Sequence, residues 1–270
     1  MTEIWTLITG ASSGIGKDFA FQLAAKGQNL ILVARRIERL EEIQKQLEET
    51  YGIKVQTIKA DLSTRQAPGE VFKAATADGK KIQTLINNAG GGFYGPFLDH
   101  EVAKYVGNIE LNITSLTQLT YLFTEHMKGH GLASQIANIA SMASYMAFAE
   151  FSVYAGTKHY VRAFTEALNF EFKDSNIHFI AIHPGGTKTE FLEKAGQELK
   201  NDDDWAMMES KEVVTIAINA MEKKKTNVVT GLMNSSLTCL MKFMPHGLKM
   251  TLGASAMKKS INYKPAAGKS

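Results

Sequence analysis

The 270-residue sequence contains one cysteine, Cys239, and five prolines. One thiol builds no disulfide framework and no multi-cysteine metal site. No stretch of 18 consecutive apolar residues occurs, so no membrane-spanning helix is expected. Neither sign of charge dominates: 30 Lys and Arg face 27 Asp and Glu, a net charge of +3. That balance argues against a nucleic-acid surface. The densest basic group, Lys223, Lys224 and Lys225, reads as the solvated end of a helix. The first residues show no basic stretch ahead of an apolar one, so no secretory leader is expected. A reducing, cytoplasmic setting is the corresponding expectation. The 22 glycines follow no period, which excludes collagen-like and low-complexity classes. With 44% hydrophobic residues, the chain has the material for a large buried core.

Short apolar runs alternate with helical patterns. Strands are expected at 4–9, 30–34, 55–60, 84–87, 135–140, 177–183 and 227–230. The run 30–34 is apolar throughout, as in a strand covered on both faces. Helices are expected at 14–27, from 37 onward, from Thr64, at 99–128 and at 152–172. Another is expected from Ser210, as N-cap, to 225. Strict strand–helix alternation predicts an α/β fold, a Rossmann-type doubly wound sheet of seven parallel strands flanked by helices. No linker divides residues 1–231, and residues 232–270 read as a C-terminal extension.

The first strand runs through Thr9 into Gly10-Ala11-Ser12-Ser13-Gly14-Ile15-Gly16 and opens into a helix. Glycines let backbone N–H groups approach a pyrophosphate, and the helix N-terminus faces the anion. Placed between a strand and a helix, the loop reads as a dinucleotide site. At the end of the second strand, where an acid would bind a ribose 2′-OH, stand Arg35 and Arg36. Guanidinium groups suit a 2′-phosphate, and the hydroxyls of Ser12 and Ser13 add donors. NADP(H) is therefore the expected cofactor. Asp61 and Leu62 follow the third strand and read as an edge contact to adenine or as a helix cap.

Tyr154 and Lys158 stand four apart and share one helix face. A phenol is a poor base at neutral pH, and a neighbouring ammonium is expected to favour its phenolate. Such a tyrosine can exchange a proton with a carbonyl oxygen. Ser141 lies after the fifth strand, where its hydroxyl can hold a substrate oxygen.

Thr9-Gly10-x-x-x-Gly14-x-Gly16, Asn87-Asn88-Ala89-Gly90, Asn112, Ser141, Tyr154-x-x-x-Lys158 and Pro184-Gly185 occur in this order. The set resembles the short-chain dehydrogenase/reductase family in its compact, NADP-preferring form, over about residues 4–231. The resemblance implies that Tyr154 is the general acid/base, and that Ser141 orients and polarises the carbonyl. It implies that Lys158 binds the nicotinamide ribose and lowers the Tyr154 pKa. Asn112 would hold a water linking Lys158 to solvent, and Asn87 would support the sheet beside the cofactor ribose. Thr187 and Thr189, after Pro184-Gly185-Gly186, would contact the cofactor. Two departures are visible: Ala140 precedes Ser141 where relatives often carry a serine, and Gly186 extends the glycine pair. The implied activity interconverts a ketone or aldehyde with an alcohol. A non-catalytic NADP(H)-sensing protein on the same fold is the alternative, and it predicts a damaged catalytic set. Relatives are commonly dimers or tetramers built on helices corresponding to those at 99 and 152.

Phe93, Phe97, Tyr145, Phe148, Phe151 and Met207 suggest an apolar substrate. Met207 and Met208 read as core or as an adaptable lid. The extension carries Leu237, Leu240, Met241, Met244 and Leu248, interleaved with lysines and broken at Pro245. It reads as packing over the substrate cleft or a neighbouring subunit, with shallow membrane contact as a second reading. His159 and His183 read as structural, Asp202, Asp203 and Asp204 as a solvated loop, and Cys239 as a buried thiol. No metal site is expected.

Overall fold

The computed structural model describes residues 3–200 and 207–263; Asp202, Asp203 and Asp204 lie outside them. The chain begins with β1 (Ile4–Thr9), α1 (Gly14–Ala24), β2 (Asn29–Ala34), α2 (Ile37–Tyr51) and β3 (Val55–Lys59). It continues with α3 (Ala67–Thr76), β4 (Lys81–Asn87), α4 (Val102–Ile109), α5 (Leu116–His130) and β5 (Ser134–Ile139). Next come α6 (Ser152–Glu171), β6 (Ile177–His183), β7 (Thr187–Lys188), α7 (Phe191–Lys194) and β8 (Gln197–Leu199). After β9 (Met208–Glu209) follow α8 (Ser210–Glu222), β10 (Asn227–Val229), α9 (Leu232–Phe243), α10 (His246–Ser260) and β11 (Ile261–Tyr263).

Seven parallel strands form one sheet in the order β10-β6-β5-β4-β1-β2-β3. The chain enters at β1, builds outward through β2 and β3, then returns to β4 on the other side. The crevice between the carboxyl ends of β1 and β4 is where open α/β sheets bind ligands.

Strand side chains alternate between two cores. Ile8, Leu30 and Leu32 pack with Phe19, Leu40, Leu47 and Val214, beneath α1, α2 and α8. Leu7, Ile31 and Val33 pack with Val71, Phe123 and Met127, beneath α3 and α5. Each large side chain buried this way contributes about 1.5–3 kcal/mol. Every residue of β2 after Asn29 is buried, which is why 30–34 carries no polar alternation.

Three expectations need correction. The helix expected from Thr64 begins at Ala67, because Asp61 Oδ1 accepts bonds from the Ser63 N–H and hydroxyl and turns the chain there. The helix expected at 99–128 is α4 and α5 joined by a π-turn over Glu110–Ser115. Ser210 is the first residue of α8, not its N-cap, and its hydroxyl donates instead to Asp18.

Candidate active site

Thr9 ties the ends of β1 and β4 together. Its hydroxyl accepts the N–H groups of Asn88 and Ala89 at 3.0 and 2.9 Å. The Asn88 amide donates back to the carbonyls of Thr9 and Gly10 at 2.9 and 3.3 Å. Gly10 has φ +67° and Gly14 φ +53°, which glycine adopts without strain. At Gly16 space decides: a Cβ would stand 2.4 Å from the Gly10 carbonyl oxygen. The loop closes so tightly that α1 starts directly beneath it. Ser13 is the α1 N-cap and makes no side-chain cap bond, and the first turn carries no acid. Arg36 donates to the Ser12 hydroxyl at 3.0 Å and to that of Ser13 at 3.0 Å. A Gly-rich loop, an uncapped helix N-terminus and a guanidinium joined to two hydroxyls fit a dinucleotide bearing an additional phosphate.

Arg35 stays apart from Arg36. It is exposed and lies beside Asp61. Burial works against the Asp61 charge, but the Ser63 bonds and Arg35 outweigh it and hold the carboxyl below its ordinary value. Leu62 is buried in the core under α3 and α5.

Tyr154, Lys158, Asn112 and Ser141 converge near Gly90. A Cβ on Gly90 would stand 3.3 Å from Asn112 Oδ1 and 3.5 Å from Lys158 Nζ. The π-turn carries Asn112 inward, where its amide donates to the Gly91 carbonyl at 2.9 Å and to Thr157 Oγ1 at 3.0 Å. Its Oδ1 accepts the Gly91 N–H at 3.0 Å. Lys158 Nζ lies 5.7 Å from the Tyr154 ring centroid and donates to the Ile139 carbonyl at 2.7 Å. Burial pulls the Lys158 ammonium down to about 8. Burial pushes the Tyr154 phenol up to about 12, and a hydrogen bond with Ser141 works against that rise. The expected lowering by Lys158 is therefore not what these neighbours produce, because burial around the phenol dominates.

His183 fixes the Ser141 turn. Its Nδ1 meets Ser144 Oγ at 2.9 Å and the Ser141 carbonyl at 3.3 Å, while Nε2 meets Asn227 Oδ1 at 3.0 Å. Asn87 donates to Asn138 Oδ1 at 2.9 Å and Thr120 Oγ1 at 3.1 Å, which braces the sheet interior.

After β6, the Pro184 carbonyl accepts the Met142 N–H at 2.9 Å. A Cβ on Gly185 would reach within 2.3 Å of Asn234 Nδ2, so α9 packs directly on this turn. Thr187 Oγ1 donates to the Gly185 carbonyl at 3.0 Å. Thr189 rests on the Gly-rich loop, 2.9 Å from where a Gly14 Cβ would be.

Several residues in this region carried no sequence signal. The Phe151 ring stacks on Tyr154 at 4.3 Å, and Phe191 sits 5.4 Å away. Tyr94, Phe148, Ile261 and Tyr263 complete the same apolar cluster. Tyr94 donates to Glu150 Oε2 at 3.0 Å, and Tyr263 contacts the Tyr94 ring at 6.3 Å. β11 reaches this cluster by pairing antiparallel with β8. Phe97, 59% exposed and stacked on Tyr105, lies outside the cluster. Cys239 is exposed rather than buried, since α9 turns Asn234 and Thr238 inward and leaves the thiol beside that face.

The family model described as short chain dehydrogenase matches residues 5–200. The chain belongs to that family. Mouse 17-beta-hydroxysteroid dehydrogenase type 3 is 32% identical over 216 residues, 78% of this chain and 69% of the mouse protein. The NADP-dependent 3-hydroxy acid dehydrogenase of Schizosaccharomyces pombe is 33% identical over 230 residues, 80% of this chain and 87% of the yeast protein. A solved short-chain dehydrogenase from Sphingobium yanoikuyae, in complex with NADPH, superposes with a TM-score of 0.78 at 30% identity. That superposition covers 89% of this chain and 96% of the other. As a short-chain dehydrogenase, the protein is an oxidoreductase of alcohol and carbonyl groups.

Proposed function

We propose that this short-chain dehydrogenase uses NADP(H) to interconvert a ketone or aldehyde and an alcohol on an apolar substrate. The observation that carries the reading is the convergence of Tyr154, Ser141, Lys158 and Asn112 beneath an aromatic cluster, next to a loop built for a dinucleotide. The cofactor supplies the hydride. The chain supplies position and the proton.

Burial keeps the Tyr154 phenol protonated at neutral pH, so it enters carbonyl reduction as the acid. The Ser141 hydroxyl, hydrogen-bonded to that phenol, holds the same substrate oxygen and steadies the charge growing on it. Lys158, whose ammonium loses its proton near pH 8, lies beside Asn112 and replenishes the tyrosine through solvent. Gly10, Gly14, Ile15, Gly16 and the start of α1 receive the pyrophosphate. Ser12, Ser13 and Arg36 receive the 2′-phosphate, with Arg35 beside them and Asp61 and Leu62 at the adenine edge. Asn88, Ala89 and Gly90 line the ribose side; Pro184, Gly185, Thr187 and Thr189 line the nicotinamide side. The NADPH of the Sphingobium relative and the NADP-dependence of the yeast one support the cofactor. The mouse relative's name supports a bulky apolar alcohol or ketone. The complete set of four argues against the sensing alternative.

The extension from 232 closes the cleft, since α9 packs on Gly185 and Tyr263 on Tyr94. It also presents an apolar outer surface: Leu232 is 91% and Phe243 83% exposed, with Leu240 between them. Residues 232–270 contain lysines and no acid, so we propose shallow docking on an anionic lipid surface. Among the described residues no helix is long and apolar enough to cross a membrane. Homo-oligomerisation through α4 belongs to the same proposal.

The test is NADPH and NADH consumption over a panel of ketones and aldehydes, with Tyr154→Phe alongside. Wild type is expected to prefer NADPH. The variant is expected to lose at least about a hundredfold in turnover while binding NADPH as before. A variant that still turns over removes Tyr154 from the mechanism.

A further inference from the structure

Glu190 lies between Thr189, seated on the Gly-rich loop, and α7, which carries Phe191. Its two carboxylate oxygens gather three cations. Oε2 meets Arg36 Nη1 at 2.8 Å and Lys194 Nζ at 2.6 Å, and Oε1 accepts from Arg39. Lys194, then Arg39 and Arg36, hold this carboxyl far below the usual carboxylate range. Arg36 is the guanidinium that also reaches Ser12 and Ser13. One edge of the guanidinium therefore faces the two hydroxyls, and the Nη1 end is taken by an acid of the chain itself.

A side-chain carboxylate on the cations of an anion seat is an internal stand-in for the anion. It carries one negative charge and two acceptor oxygens. A phosphate monoester carries up to two charges and three acceptor oxygens, and guanidinium groups bind it in paired, charge-assisted bonds. The two cannot both take the Nη1 position of Arg36.

We propose that Glu190 is a cofactor-specificity residue: its carboxylate occupies the 2′-phosphate seat, and a 2′-phosphate binds by displacing it. The proposal rests on the NADP(H) reading above. A nucleotide without the 2′-phosphate leaves the Arg36–Glu190 pair intact and meets no competitor. Glu190 thereby lowers the advantage that Arg36 gives to the phosphorylated cofactor. It holds the preference to a moderate ratio and keeps the α7 segment pinned across the cofactor loop until the phosphate arrives.

The experiment is calorimetric binding of 2′,5′-ADP and of ADP to the full chain, for wild type, Glu190→Gln and Glu190→Ala. The probes lack nicotinamide, so the readout is independent of catalysis. Both variants are expected to tighten 2′,5′-ADP by on the order of tenfold, as when a charged competitor is removed. ADP affinity is expected to stay within about twofold. Glu190 is about one-third exposed and belongs to no buried core, and thermal unfolding of both variants checks that they fold. If wild type prefers 2′,5′-ADP but neither variant changes the ratio, or both weaken the two ligands equally, Glu190 is only a brace of α7 and the proposal falls. If wild type shows no preference between the two nucleotides, the NADP(H) reading itself fails and takes this proposal with it.

Discussion

Lys158 places an ammonium where almost no water reaches, with one carbonyl as its recorded hydrogen-bond partner. Burial costs the charged form, and the ordinary value of 10.5 falls to about 8. An unfolded chain holds that proton to a higher pH than the folded one. Between about pH 8 and 10 the unfolded state thus binds more protons, and folding stability contributed by this group rises with pH. Lys158→Met lacks that dependence. Wild-type stability relative to the variant is expected to increase by about 2 kcal/mol from pH 7 to pH 10, read from urea unfolding at both values. Parallel profiles would show that Lys158 is not desolvated. Tyr154 titrates above this window in either protein. The residue types and spacing of this pair were readable in the sequence. Their burial was not, because it depends on Phe151, Tyr94 and Phe191, which arrive from three other segments.

At the scale of the element, the join between β1 and α1 was legible as far as Gly16, because strand, glycines and helix are contiguous. What the sequence left out is how little room the join has. In Gly16→Ala the new methyl meets a backbone carbonyl and the Asn88 amide, which is itself bonded to Thr9 and Gly10. Neither obstacle is the loose end of a flexible side chain. Thermal unfolding is expected to report a loss of about 1–3 kcal/mol, and NADPH titration at least a tenfold loss of affinity. Wild-type affinity in this variant would mean that the loop has room to relax. The helix after β4 was less legible. Apolar periodicity continues through 110–115, and a π-turn changes the phase by only one residue. The reason for the turn is tertiary: it points Asn112 at Gly91 and Thr157.

For the whole molecule, two exposed surfaces matter. Val102, Val106 and Ile109 lie on one face of α4, 75%, 51% and 40% exposed, next to exposed Phe97 and Leu98. An apolar stripe of this kind is expected to be covered by a second copy of the chain. Val106→Asp should convert the wild-type oligomer to a smaller species in sedimentation; a wild-type monomer would remove that idea. The second surface is the extension. Deleting it would also remove Asn234 from Gly185 and Tyr263 from Gly95, so truncation does not isolate lipid binding. The exposed pair Leu240→Asp and Phe243→Asp does. Co-sedimentation with phosphatidylserine vesicles is expected to drop several-fold in the double variant, with cofactor binding intact. Equal pelleting of both proteins would discard the membrane contact.

The sequence by itself determined the alternation of strands and helices, the seven-stranded parallel sheet, the dinucleotide loop and the order of the four candidate catalytic residues. Those features are local: each is written in a contiguous stretch whose periodicity or glycine spacing has one physical reading. Tertiary structure decided the rest. It put Glu190 on Arg36, β11 beside β8, Asn234 against Gly185 and Thr9 between two strand ends. These pairs are separated by long stretches of chain, and their residues are of ordinary types with no mutual spacing to detect. Only closure of the sheet, which brings the strand ends to one edge, makes them neighbours.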